Sequence, residues 1–595
     1  MFFFSADLAK SALTVKQEAM AAVSDGLGHH HELERLAAAG GKHPQNCERA
    51  VLTMARRELG MKLQPLKITV PQYVKRTGKI RLAKAGVMCP HEIWSVLRPH
   101  PKFHQLFGTK EEWSRFWHLV REEVWFREHA LHDAIAAKPE NFSPMLVHID
   151  DAPVTRRIGR NFRAVNMLSP FAANDTARKG VFPLAVSPND VTMNEIVQER
   201  MDETVAWSFN CCATNSFDIS AAPGFIDFDQ KRLLQSACCL IESDELLVYA
   251  GLIGDWMMMA LDFDMPCHYN KWEICMLDCA CKGGVNNFVD FRLSAPWAHM
   301  SRTLAEYFAA VVGAGKNLHP FTKIPGFHTF NFFEDQLHCD ALGGRQHANG
   351  TILRDLSIEG HFGPHYAGPG NWNTKLDTCL GHAFKEFQVF LKRNRLVCSQ
   401  PLFKTLALSM HHPDDYPCLK SKGRNSCFVT EWLLEKTKAI SEADPTNTIA
   451  QQRFALMWGL HGLFDLPNRI KPRWELTALE TSELEAYRLT ALLSYSTLSR
   501  ARAEAPGVER GFNMIPKLHA TDHMCRRSIK TSISAALFWC FKTEHVMGEL
   551  AKACGRTHAS TTMIRVLQRW LVDFYLWLEE SAIGFSSKII LAPHR

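Results

Sequence analysis

A chain of 595 residues is too long for one hydrophobic core, so two to four domains are expected. Its hydrophobic share of 46% and charged share of 22% are ordinary globular usage, which argues against disorder except at the ends. A net charge of +6 with 28 neutral histidines is mildly basic and alone does not single out nucleic acid as a partner.

The 18 cysteines are irregularly spaced, which excludes a disulfide scaffold. The opening Met1-Phe-Phe-Phe-Ser-Ala-Asp7 is too short an apolar run for a secretory signal and lacks a basic leader. Reduced thiols in cytosol or nucleus are therefore expected. No stretch approaches the ~18 uninterrupted apolar residues of a membrane span. No basic cluster is dense enough to mark nuclear import.

Residues 1–60 read as helical, broken by Gly40-Gly41 and His43-Pro44. His29, His30 and His31 would point in different directions on a helix, which favours a solvated face over a metal cluster. Residues 90–137 read as helices whose Trp94, Trp113, Trp117 and Trp125 form a core stripe. The pattern then changes. Met145–Ile149, Asn161–Leu168 and Val181–Val186 read as strands, Asn189–Phe209 as a helix, and Leu246–Ile253 as a buried strand. Three strands, a helix and a further strand are the order of an RNase H-like sheet.

Residues 300–510 carry helical periodicity, interrupted by the Gly/Pro/His-rich loop 360–370. Residues 514–580 return to helix, with Lys542, Lys552, Arg556, Arg565 and Arg569 among them. The expected fold is α/β, an RNase H-like mixed sheet core with a large, mostly helical insertion and helical N- and C-terminal regions. The expected divisions are a helical region over 1–140, the first part of the core with a Cys-rich loop over 141–300, the insertion over 301–510, and core-completing helices over 511–595.

Two apolar runs end in aspartate. They are Pro144-Met-Leu-Val-His-Ile-Asp-Asp-Ala-Pro-Val154 and Leu246-Leu-Val-Tyr-Ala-Gly-Leu-Ile-Gly-Asp255. Two-metal phosphoryl transfer needs carboxylates converging on two divalent ions ~3.5–4 Å apart. Asp150 at a central strand suits the bridging ligand, Asp255 the second, and a late helix should supply the third. Each aspartate also has a plain structural reading: Asp150-Asp151 as a strand-to-turn pair, and Asp255 as a helix N-cap.

Further blocks carry a resemblance. Val147-His-Ile-Asp-Asp-Ala-Pro-Val154 is similar to a His-Gly-Asp-Gly-Thr-Pro-Val block, and Val205-Ala-Trp-Ser-Phe209 to a Val-Ala-Trp-Ser-Phe helix. Gly254-Asp255 matches a Gly-Asp. Asp335-Gln-Leu-His338 with Leu342-Gly343 resembles an Asp-Leu-Met-His and Leu-Gly block. Phe541-Lys-Thr-Glu-His-Val-Met-Gly548 resembles an acidic Asp-Glu-Asp-x-x-Gly block. In this order, from about residue 85 to 572, they resemble a DDE-type, RNase H-like transposase family found in many divergent copies in protist genomes, dinoflagellates especially.

The resemblance implies Asp150, Asp255 and Glu544 as catalytic metal ligands for Mg²⁺ or Mn²⁺. It implies cleavage and transfer of double-stranded DNA at transposon ends, in the nucleus, by a chain that associates with itself. Departures point to an alternative. Thr543 and His545 stand where acids flank the third ligand, and Asp151 replaces a small residue. A decayed or domesticated copy would bind DNA or a protein partner without cleaving. A structure-specific nuclease of the same fold is a third option.

A second constellation is Cys267-His268, Cys275, Cys279 and Cys281. Zinc bound by Cys267, His268, Cys275 and Cys279 is one expectation, and reduced structural thiols the other. Asp335 and His338, at i and i+3, form a third group with Asp340, either near a metal or as a hydrogen-bonded pair. No Gly-x-Ser-x-Gly elbow, P-loop or Gly-x-Gly-x-x-Gly occurs, which argues against serine hydrolase, NTPase and dinucleotide chemistry.

Overall fold

The computed structural model describes residues 52–53, 56–57, 60–74, 77–154, 160–173, 179–189, 193–235, 238–242, 244–363, 366, 370–505, 509–557 and 561–580. Most of the stretch expected to be helical over residues 1–60, and the histidine run at 29–31, lie outside them. The chain divides into two compact units. The first is Met1–Leu252 with His319–Phe327 and Lys542–Arg595, and the second is Ile253–Leu318 with His328–Phe541.

The region expected to be helical before residue 140 contains an antiparallel hairpin instead. Strand β1 (Leu66–Val74) pairs with β2 (Lys79–Val87), from Leu66↔Val87 to Val74↔Lys79. The reason is legible in Leu66-Lys-Ile-Thr-Val70. Apolar and polar residues alternate with period two, and Leu66, Ile68 and Val70 are all buried. Gly78, at φ +64°, supplies the left-handed turn residue.

Helices α1 (Pro90–Leu97) and α2 (Lys110–Leu119) follow. Thr109 and Glu112 close a reciprocal capping box at the start of α2. Trp94, Trp113, Trp117 and Trp125 are all core residues, as expected. Two of their indoles are also tied to backbone: Trp113 Nε1 donates to the Phe107 carbonyl and Trp117 Nε1 to that of Phe142, each at 2.7 Å.

Then come β3 (Phe142–Pro153), β4 (Asn161–Leu168), β5 (Val181–Pro188), helix α3 (Asn194–Thr214), the short β6 (Ile226–Asp227) and β7 (Leu246–Gly254). Strand β6 joins the other edge of β1, making a three-stranded sheet of order β2-β1-β6. The larger sheet is mixed, with order β5-β4-β3-β7-β8, where β8 is Phe332–Glu334. Strand β3 pairs antiparallel with β4, and β4 with β5.

The two faces of this sheet separate by strand parity. Val147, Met167 and Phe182 are directly paired neighbours and share one face. There Phe182 meets Phe107, and Trp570 and Phe574 of the last helix, at ring separations of 5.6–5.8 Å. Arg163 lies on this face too, and forms a buried bidentate pair with Asp202 of α3 at 3.1 and 3.0 Å. His148, Asn166, Asp150 and Ala164 share the opposite face.

The second unit opens with α4 (Trp256–Asp262) and a long irregular loop. After β8 come a π-helical segment (Leu337–Gly344), α5 (Arg345–Ile358), α6 (Trp372–Arg393), α7 (Gly423–Ala443), α8 (Thr448–Arg469), α9 (Ala478–Glu504) and α10 (Pro516–Thr531). Helices α8 and α9 approach closely at two glycines. A Cβ on Gly459 would lie 2.6 Å from the Ala491 backbone nitrogen, and one on Gly462 would lie 2.2 Å from the Tyr487 ring. The chain then returns to the first unit as α11 (Phe541–Arg556) and α12 (Thr562–Glu580).

Candidate metal centre

Among the described residues, two groups bring three or more His, Cys, Asp or Glu donor atoms within 4.8 Å of one another. The larger is Cys275, Asp278, His519 and His523, all in the second unit.

Helix α10 supplies the histidines. Pro516 stands in its first turn, where a missing N–H is harmless. Residues four apart lie about 40° apart around a helix, so His519 and His523 share a face. The loop after α4 supplies the other two donors. Cys275 Sγ accepts the Leu277 N–H at 3.3 Å, which turns the chain around the sulfur. Asp278 Oδ1 accepts the Ala280 N–H at 2.7 Å, leaving Oδ2 for the histidines. Arg302 Nε donates to the Asp278 carbonyl at 2.7 Å and holds this turn from outside.

The donors converge tightly. Asp278 Oδ2 is 2.8 Å from His523 Nε2 and 3.2 Å from His519 Nε2. The two Nε2 atoms are 3.1 Å apart, and Cys275 Sγ is 3.5 Å from His523 Nε2. Two imidazole N–H groups cannot point at each other over that distance, so a single proton or a cation must sit among these atoms. Metal–nitrogen bonds of ~2.0–2.1 Å and a metal–sulfur bond of ~2.3 Å at tetrahedral angles give donor separations of about 3.3 Å (N···N) and 3.5 Å (S···N). The N···N and S···N spacings are close to these, whereas the 2.8 Å between Asp278 Oδ2 and His523 Nε2 is a hydrogen-bond length.

The surroundings are dry. Cys275, Asp278 and His519 are buried, and the His523 side chain is 18% exposed. The Trp297 ring stands edge-on to His519 at 4.3 Å, and Trp256 lies 6.1 Å from His523. Burial alone would raise the Asp278 carboxyl, but the two imidazoles outweigh it and hold it far below the carboxylate range. Burial, reinforced by Asp278, pushes the Cys275 thiol well up, so a nearby cation is what would keep it a thiolate. Burial lowers His519, whereas on His523 the pull of Asp278 overcomes burial and raises it. Four protein donors are the number a closed, structural site would use, and a thiolate–imidazole–carboxylate mixture is one that zinc would accept.

Of the four zinc ligands expected from the sequence, only Cys275 enters this group. Cys267 Sγ donates to the Cys275 carbonyl at 2.7 Å. His268 Nδ1 accepts the Asn270 N–H at 3.2 Å, and Cys279 is half-buried. Cys281 Sγ donates to the Gly283 carbonyl at 2.8 Å. Asp278, His519 and His523 were not anticipated. Their signal is a Cys-x-x-Asp and a His-x-x-x-His, lying 245 positions apart between Asp278 and His523.

The expected catalytic acids belong to neither group. Asp150 lies inside β3 rather than beyond its end, paired with Ala164, and its Oδ1 accepts the Asp151 N–H at 2.8 Å. Asp150 is half-buried and Asp151 exposed. Asp255 follows β7 and caps α4, accepting the Met257 N–H at 3.2 Å. Glu544 stands half-buried in the first turn of α11.

Within the first unit, α11 lies on the sheet face that bears Asp150. Met547, one turn beyond Glu544, receives Asn166 Nδ2 at 3.7 Å. Asn166 is also 3.1 Å from His148 Nδ1, and His148 and Asp150 share a face by parity. Glu549 instead is exposed and lies 3.2 Å from His545. Lys542, read as one of the basic residues, is half-buried, and its Nζ donates to the Ala172 carbonyl at 3.2 Å. Asp335 and His338 form the expected i, i+3 pair, whereas Asp340 pairs with Arg345. No family model matches the chain, and no curated protein matches it.

Proposed function

We propose that this chain is an RNase H-like, transposase-type enzyme that cleaves and transfers DNA strands, with a zinc-class ion stapling its second unit. One observation carries the reading: the strand order β5-β4-β3-β7-β8, with Asp150 on the central strand and α11 over the same face. An RNase H-like sheet has its first strand in the middle, the second and third stepping out on one side, and the fourth and fifth on the other. Strands β3, β4, β5, β7 and β8 follow that plan in chain order.

Asp150, Asp255 and Glu544 would then hold two divalent ions, as the family resemblance implies. The ions supply charge stabilisation to the phosphodiester and its leaving oxygen. The carboxylates fix where water, and then a DNA 3′-hydroxyl, attacks the phosphorus. The bond to the departing 3′-oxygen breaks first, and that hydroxyl later displaces a 5′-fragment in the target strand. Lys552, exposed on α11, is the cation offered to the DNA backbone, and binding through it weakens with salt.

The test is nicking of supercoiled plasmid in Mg²⁺ or Mn²⁺ by wild type, Asp150→Asn and Glu544→Gln. Cleavage by wild type alone supports the reading. A second reading, a non-catalytic DNA- or protein-binding relative, is favoured by the absence of the three acids from either donor group and by the use of Asp255 as a helix cap. Salt-sensitive DNA binding by wild type without nicking in either metal would establish it over the first.

A further inference from the structure

The smaller donor group is Asp335, His338 and Cys540, within the second unit. Asp335 is buried, and its side chain is wholly inaccessible. Its Oδ2 accepts the His338 backbone N–H at 3.1 Å and lies 2.7 Å from His338 Nδ1. Its Oδ1 accepts the Cys540 backbone N–H at 2.9 Å. Among the described residues no lysine or arginine pairs with this carboxylate. A buried carboxylate needs a compensating positive charge as well as hydrogen bonds. The candidates here are a protonated His338 or a metal ion.

The setting favours an ion. Cys540 is wholly buried and brings a sulfur to the same point, with all three donor atoms within 4.8 Å. A borderline-soft divalent ion accepts a carboxylate, an imidazole and a thiolate together, which is the donor set gathered here. His338 sits in the first turn of the π-helical segment, a widened turn that recurs at functional sites. Its side chain is 16% exposed, so this cluster reaches solvent through the imidazole.

We propose that Asp335, His338 and Cys540 form a second site for a zinc-class divalent ion, with three protein ligands and a fourth position facing solvent. It differs in kind from the four-ligand centre at Cys275. An ion with an open coordination position exchanges readily, whereas one enclosed by four protein ligands does not. The proposal stands apart from DNA cleavage, because neither the site nor its test depends on the acids of the sheet.

The test uses the full-length chain loaded with Zn²⁺, desalted and assayed for metal before and after a brief wash with a weak chelator. Wild type should carry two zinc ions per chain before the wash and one after it. His338→Ala and Cys540→Ser should carry one, resistant to the wash. His523→Ala should also carry one, but a labile one. Replacing zinc with Co²⁺ should give sulfur-to-metal absorption that falls by about half in Cys540→Ser. If Cys540→Ser, at a wholly buried position, fails to fold, His338→Gln at the partly exposed imidazole decides the matter. One zinc in wild type, unchanged in the His338 variants, overturns the second site. An unchanged His523→Ala with one zinc fewer in His338→Ala overturns the first centre and leaves the second standing.

Discussion

The closed centre proposed for the second unit makes a quantitative demand on stability. Its four donors join a loop near residue 275 to a helix that begins at Pro516, so an ion held there would bind the folded chain and not the unfolded one. With free metal at 100 to 1,000 times its dissociation constant, such an ion contributes about 2.7–4.1 kcal/mol. At about 2–3 °C per kcal/mol, the lower part of the range for domains of 150–250 residues because the second unit is longer than that, chelation should lower its unfolding temperature by about 5–12 °C. His523→Ala removes one donor and leaves Asp278 with His519 as its remaining imidazole partner. The variant should therefore melt lower than wild type before chelation and move little after it. Both proteins are to be compared in a His338→Ala background, so that only the closed centre responds. Melting is followed by circular dichroism with and without chelator. A wild-type shift below about 2 °C, or an equal shift in His523→Ala, would refute the argument.

Three further outcomes are expected. Asp150→Asn and Glu544→Gln should each lower metal-dependent plasmid nicking by at least about 100-fold with DNA binding retained, while Glu549→Gln, altering an exposed side chain, should leave nicking within about twofold. Gly459→Ala should destabilise by about 1–2 kcal/mol net, because its Cβ meets unyielding backbone of α9 and overpacking exceeds the gain in helix propensity. Gly548→Ala on α11, where a Cβ meets nothing within 4 Å, should stabilise by about 1 kcal/mol, so equal urea midpoints for the two variants would count against the close α8–α9 approach. For Asp202, burial raises the carboxyl but Arg163 and His319 outweigh it, so the folded value lies below the unfolded one. That stabilisation is complete above the unfolded pKa of about 4 and disappears as pH falls through the folded value. Asp202→Asn should cost about 3–5 kcal/mol at pH 7 and flatten the loss of urea resistance below pH 4, whereas an unchanged acid profile would remove Asp202 as its source.

The sheet was largely legible because its strands are short apolar runs bounded by polar turns. Asn161–Leu168 appears with the ends expected of it. The departures have physical causes that lie in partners rather than in the runs themselves. Strand β3 continues through Asp150 and Asp151 because Ala164 and Arg163 on β4 are there to pair with them. Helix α3 begins at Asn194 rather than at residue 189 because the Asn189 N–H is taken by the Asn161 carbonyl at 2.9 Å, extending the sheet's edge. The β1–β2 hairpin was missed although Leu66, Ile68 and Val70 alternate cleanly, because the helical reading of the flanking residues was carried across it.

The candidate metal cluster was hidden for a different reason. A sequence displays thiols that crowd together along the chain, and the loop from Cys267 to Cys281 is crowded. Crowding is not convergence. Cys267 and Cys281 each spend their S–H on a backbone carbonyl close by, which satisfies a buried thiol without any metal. Cys275 instead accepts an N–H, the role of a sulfur with lone pairs to offer, and faces a helix that begins more than two hundred residues later. The helix carries its own mark. His519 and His523 both lie on the side that α10 buries, where two imidazoles have no apolar part to play and must find donors, acceptors or an ion. A pair of histidines four apart on an otherwise buried helical face is thus a stronger sign of a ligand than five sulfur and nitrogen donors in one loop. The sign becomes legible only once the helix is known to be buried on that side.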